Sequence, residues 1–189
     1  MALLILGLVL FLGIHSTSIV AEGFRNRMAA KSELGWKAFY GIVSIVGIVL
    51  IVKGYADARM NPTLLYVPPV WMKHLAALLL LPVFVLFFAP YFPGKIKAVT
   101  KHPQLVAVKL WAVAHLLVNG TLADVILFGS FLVWAVVDRI SFKQRVERPV
   151  PSAPAKGLND VLVVAAGLGV YVIFTLWLHE AWFGVAPFG

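Results

Sequence analysis

Cysteine is absent from the 189 residues. Its absence excludes a disulfide framework, a thiolate nucleophile, covalent attachment of haem and an iron–sulfur cluster. Any metal has to be held by histidine, carboxylate or main chain. Charge is the second scarcity: 13% of residues are charged, where soluble domains average about 25%, and only 8 are acidic. No phosphate-binding loop, two-carboxylate site or nucleophile–base–orienter set is visible. An internal repeat is also missing, which argues against a repeat-built transporter.

What the chain has in excess is apolar surface. It is 61% hydrophobic, with a mean hydropathy of +0.94. Those values describe an integral membrane protein of the all-α class. Stretches near residues 2–21, 36–52, 74–90, 103–119, 122–137 and 158–178 have the length, about 17 residues or more, needed to cross a hydrocarbon core of about 30 Å. The expected fold is one polytopic bundle of six transmembrane helices over residues 1–189. The start lacks the positive region of a signal peptide, and Ser-Ile-Val-Ala-Glu-Gly is a poor cleavage site, so the first stretch reads as a retained helix.

The net charge of +8 comes from 16 Lys and Arg scattered between apolar blocks. They form no stripe on one domain, which excludes a nucleic-acid partner and leaves them as loop charges. With the N-terminus outside, twelve of the 16 fall in inner loops, from Arg25 to Lys156. Lys53, Arg59 and Lys73 lie in an outer loop, and Lys109 lies within the fourth helix. This bias places the chain in a bacterial inner (cytoplasmic) membrane with both termini periplasmic.

Several local features follow. Pro82 should kink the third helix, which stops near Phe88. A short turn at Asn119-Gly120 should join helices four and five as an antiparallel hairpin. The outer loop 61–71, rich in proline and aromatics, reads as an interfacial cover. The inner segment 139–157, with Pro149, Pro151 and Pro154, reads as an irregular linker. Ala165, Ala166, Gly167 and Gly169 should allow close packing of helix six.

Ionisable groups within a membrane are costly and face the interior of the bundle, so candidate chemistry is sought there. They are His15, Lys109, His115 and Asp124, with Asn119 as a polar companion. Two neutral imidazoles across a bundle are the minimal arrangement for axial ligation of a haem iron. On straight helices their depths differ by about two turns. Ser16, Ser18 and Asn119 are candidate partners for their second nitrogens. Trp111, His115 and Asn119, spaced by four, share one helix face. The alternative is that both histidines are structural and bond to neighbouring helices.

His74 and His179 fall near the outer interface. His102, with Lys101 before it and Pro103 after it, stands at a helix N-terminus and is either an anion site or a cap. Lys109, seven residues on, lies on nearly the same face. Asp124 reads as a helix cap and Asp138–Arg139 as an interfacial ion pair.

Five spaced motifs resemble the NnrU family. They are Leu-Phe-Leu-Gly-Ile-His-Ser at 10–16, Phe-Tyr-Gly-Ile-Val-Ser-Ile-Val-Gly at 39–47, Lys-His-Pro-Gln-Leu at 101–105, Lys-Leu-Trp-Ala-Val-Ala-His-Leu-Leu-Val-Asn-Gly at 109–120 and Leu-Phe-Gly-Ser-Phe-Leu-Val-Trp-Ala at 127–135. The resemblance covers nearly the whole chain. The family takes its name from genes linked to bacterial denitrification and includes the plant 15-cis-zeta-carotene isomerase.

The resemblance implies a membrane protein that binds haem b, with His15 and His115 as the metal ligands and His102 functionally important. The third motif reads Lys101-His102-Pro103 where the family has Arg-His-Pro, so a point charge replaces a bidentate donor. The implied activity is either redox-dependent cis–trans isomerisation of a carotenoid-like polyene or a role in nitrogen-oxide metabolism. In that reading His102, Lys109 and Asn119 are the catalytic candidates, and Trp111 joins the two histidines around the cofactor. Expected partners are membrane lipids, an apolar small-molecule substrate, and a protein partner or a second copy of the chain. A His-Pro pair opening a membrane helix also resembles the S-adenosylmethionine-dependent membrane methyltransferases, but the basic linker after helix five lacks their acidic cofactor-binding residues. A noncatalytic assembly factor is the third class.

Overall fold

The structure is a computed structural model, and it describes residues 1–146 and 148–187. The helices, in chain order, are α1 (Ala2–His15), α2 (Thr17–Val20), α3 (Glu22–Lys31), α4 (Glu33–Met60), α5 (Met72–Leu80), α6 (Val83–Phe88), α7 (Lys95–Thr100), α8 (Pro103–Val118), α9 (Leu122–Ser141) and α10 (Asn159–Ile173). A π-helical turn, Phe174–Leu178, then leads into α11 (His179–Phe183). Among the described residues the fold is all-helical, with one isolated bridge between Leu64 and Thr121. Two helical stretches, Glu33–Met60 and Asn159–Phe183, are long and apolar enough to cross a membrane.

The chain forms two compact units. One comprises Met1–Pro69 and His115–Val146, the other Val70–Ala114 and Glu147–Gly189. In the first unit, α1 and α4 run in backbone contact at glycines. A Cβ on Gly7 would lie 2.6 Å from the Ile51 amide nitrogen, and one on Gly47 2.9 Å from the Phe11 Cβ. Small residues permit this approach where lipid and side chain are equally apolar and packing decides the pairing. Leu4, Leu8 and Ile51 are buried.

The backbone neighbours of α9 in this unit are α1 and α4. The antiparallel hairpin expected between α8 and α9 is not seen as packing of one helix on the other; the short Asn119-Gly120 connection leaves the His115 ring, in the last turn of α8, stacked on Phe128 at 4.5 Å. Asp124 does cap α9: Thr121 and Asp124 form a reciprocal capping box, and the Tyr55 hydroxyl donates to the same carboxylate. Thr121→Ala should therefore cost about 1 kcal/mol of stability. A lowered thermal midpoint in detergent is the check, with Thr121→Ser close to wild type.

A further expectation is corrected here. The first apolar stretch is not one helix to residue 21, because the helix breaks at Ser16, after His15. The connection that follows it forms the helix α3, whose Ala, Arg, Met and Lys are good helix formers. Glu22 and Lys31 complement its dipole at the two ends.

In the second unit α5 and α6 are separated at Pro82, as the missing N–H requires. Gly167 of α10 meets Val85, where a Cβ would stand 2.6 Å from the backbone nitrogen. Gly169 faces open space. The proline-rich linker is irregular yet tethered. Ala153 N–H donates to Tyr91 O at 2.8 Å, and Asn159 Nδ2 donates to Pro93 O and Pro154 O at 3.0 Å each. Asp160 accepts from the Lys95 and Ile96 amides at the start of α7. Position 147 of the expected linker lies outside the described residues.

Candidate functional site

His15 is the last residue of α1, and its ring Nδ1 lies 2.7 Å from the Phe11 carbonyl. A carbonyl only accepts, so Nδ1 carries the proton and Nε2 keeps the lone pair. Three aromatic rings frame the imidazole, with centroids at 4.1 Å (Phe11), 4.9 Å (Tyr40) and 6.0 Å (Trp134). The serine partner expected for His15 is absent from this bond: Ser16 Oγ donates instead to Leu12 O at 2.6 Å. The cause is helical geometry, since the carbonyl one turn back is always within a serine's reach.

Beside His15 a groove of about 550 Å³ is lined by Leu12, Ser16, Gly129, Ser130, Val133, Trp134 and Val137. The groove is shallow and open along one side. The lining is apolar except for two hydroxyls and an indole. The Trp134 Nε1–H is enclosed and finds no acceptor among the described residues.

A buried ion pair stands one turn further along α9, and it was not foreseen. Asp138 pairs with Arg145 and not with Arg139; both side chains of the pair are 10% exposed. Adjacent residues on a helix point in different directions, so Arg139 cannot turn to Asp138, whereas the turn after α9 carries Arg145 back. The guanidinium sits 4.0 Å over the Phe142 ring, and its Nε–H is enclosed without an acceptor among the described residues. The Asp138 charge acts on both His15 and Tyr40. No spacing rule links residues seven apart across a helix end; the sequence signal was only an arginine shortly after the helix.

His115, in the last turn of α8, belongs to the same unit. Its neighbour Phe128 precedes Trp134, the neighbour of His15, by six residues of α9. The two imidazoles therefore meet that helix at levels about 9 Å apart. Asn119 enters through its main chain: its N–H donates to His115 O at 2.9 Å, and its carbonyl accepts from the Tyr66 hydroxyl at 2.7 Å. Tyr66 also donates to Leu116 O, while the Leu65 and Tyr66 amides donate to Gly120 O. A side chain at position 120 would collide with the Tyr66 carbonyl, which explains the glycine. Burial, with the Asp124 charge, pushes the Tyr66 phenol above its ordinary pKa, so it remains a donor.

In the second unit Lys101 has φ 59° and ψ −54°, and His102 N–H donates to Thr100 O at 2.7 Å. This is a strained γ-turn, placed at the Lys-His-Pro motif. The His102 carbonyl accepts from the Leu105 and Val106 amides, and Pro103 opens α8 as expected. Lys109 and Trp111 are half-buried on α8. His102, Lys109 and Trp111 thus belong to the second unit, and His15, His115 and Asn119 to the first. His179 Nδ1 lies 2.7 Å from Val185 O, and His74 is exposed. No group of three metal-capable side chains occurs among the described residues.

The family model described as NnrU protein matches residues 3–187. No curated protein and no solved structure matches the chain.

Proposed function

From its membership of the NnrU family, to which the chain belongs, we propose that it is an integral membrane protein holding one haem b through His15 and His115. One observation carries the reading: His15 has its Nδ1 proton bound by a carbonyl at 2.7 Å and its ring framed by aromatics beside a groove. An anchored second nitrogen fixes the tautomer, orients the ring and raises its basicity as a ligand. The absence of a three-residue metal cluster does not bear on haem, which takes one or two axial side chains.

When bound, haem supplies an iron centre whose ligation and charge respond to redox state. The chain's own contribution is positional. Phe11, Tyr40 and Trp134 hold the His15 imidazole and keep water from it, and Leu12, Val133 and Val137 give the groove an apolar wall. Such a wall suits an apolar substrate such as a polyene, and the proposed activity is redox-dependent cis–trans isomerisation. Asn119 is proposed to hold the turn after α8, in the same unit as the two histidines. The proposed topology is six membrane crossings in the inner membrane with both termini periplasmic.

The test is an absorption spectrum of detergent-purified protein, oxidised and dithionite-reduced, with a pyridine haemochrome assay. About one haem per chain with a Soret band and sharp reduced α and β bands is expected for a bis-histidine site. A folded protein with a featureless spectrum after expression with ample haem would overturn the reading.

A further inference from the structure

The helix α3 turns a mixed face outward. Phe24, Arg27, Met28 and Lys31 recur at i, i+3, i+4 and i+7, which at 3.6 residues per turn places them within an arc of about 100°. All four are exposed, Phe24 by 46% and Met28 by 38%. Glu22, Arg25 and Ala29, on the other side of the helix, are half-buried. The outward face therefore sets two apolar side chains beside two cations, and the acidic residue of the helix lies away from it.

The position of α3 is set by α4. Ser32 ends α3 and caps α4 by accepting from the Gly35 amide at 3.0 Å, so a single residue joins the two helices. The Phe24 ring meets the buried Trp36 ring edge-on at 6.3 Å, which ties α3 to the first turn of α4. α4 is long and apolar enough to cross a membrane, and tryptophan gathers at the boundary between lipid and water. α3 thus stands where such a helix leaves the lipid. Water would leave Phe24 and Met28 uncovered, and hydrocarbon alone would leave Arg27 and Lys31 without a counter-charge. An anionic lipid surface suits all four, because the ring and the thioether enter the acyl boundary while the cationic ends reach the phosphates.

We infer that α3 lies in the plane of the bilayer surface and binds the headgroups of anionic phospholipids through Arg27 and Lys31, with Phe24 and Met28 inserted beneath them. This placement requires α4 to lie in a bilayer, as proposed above, and is independent of haem.

The chain has no cysteine, so a single fluorophore can be attached at Met28→Cys or, on an exposed part of α4, at Ile45→Cys. The full chain is reconstituted in vesicles of phosphatidylcholine and phosphatidylglycerol in which one lipid or the other carries bromine, a contact quencher. A basic residue near an anionic surface is worth about fivefold in partition, so at position 28 brominated phosphatidylglycerol should quench with an apparent affinity about 25-fold that of brominated phosphatidylcholine. Arg27→Gln/Lys31→Gln should bring that ratio close to one. The label at position 45 should be quenched by both lipids alike in either protein, which reports correct insertion. Quenching at 45 without quenching at 28, or equal quenching by both lipids at 28 with Arg27 and Lys31 in place, would overturn the role of α3 and leave the membrane placement standing. No quenching at either position would overturn both.

Discussion

His15→Ala is expected to remove the Soret band from the purified protein, whereas His115→Ala is expected to keep haem bound with a high-spin spectrum. Loss of a partner that merely orients a metal ligand costs about 10–100-fold in affinity, so loss of the ligand itself should cost more than about 100-fold. The two histidines differ because their settings differ. His15 has its tautomer fixed by the Phe11 carbonyl and three rings around it, beside the groove. His115 is stacked on Phe128, about 9 Å away along α9 as judged from the residues that each imidazole touches. If both histidines held a haem, His115, met at the more distant level of α9, would be the one to yield first. A colourless His115→Ala protein beside a coloured His15→Ala protein would reverse the assignment.

Gly54→Leu is expected to separate α1 from α4 and to cost about 3 kcal/mol or more, the upper end for overpacking a filled site. A Cβ there would stand 2.6 Å from the Leu3 carbonyl carbon, against backbone that cannot rotate away. Gly41, on the same helix, has nothing within 4 Å of its added Cβ, so Gly41→Ala should be neutral or stabilising by up to about 1 kcal/mol through helix propensity alone. Thermal unfolding in detergent compares the pair. Equal midpoints would remove the glycine seam as the basis of the α1–α4 contact. Haem retention should follow stability in Gly54→Leu, because His15 sits at the end of α1 and Tyr40 on α4.

Much of the local structure was legible because its causes are local. Pro82 interrupts one helix and Pro103 opens another, through a missing N–H in each case. Thr121 and Asp124 cap α9 by a side-chain exchange that spans three residues. The γ-turn at Lys101 was not legible, since it depends on how the chain is held on both sides of the Lys-His-Pro motif.

The sequence by itself determined the all-helical class, the apolar character of the long helices, the family and the identity of the histidines to be weighed. Composition and short-range chemistry suffice for these. Only the tertiary structure decided which glycines touch another backbone, that Asp138 takes Arg145 and leaves Arg139, and that His15 finds Phe11, Tyr40 and Trp134. The physical reason is visible in α1. Residues 2–14 are apolar on every side, so no amphipathic stripe marks the face that packs. Rotation of such a helix is set by shape at Gly7, Gly47 and Gly54, and shape complementarity between two segments is a property of neither one alone.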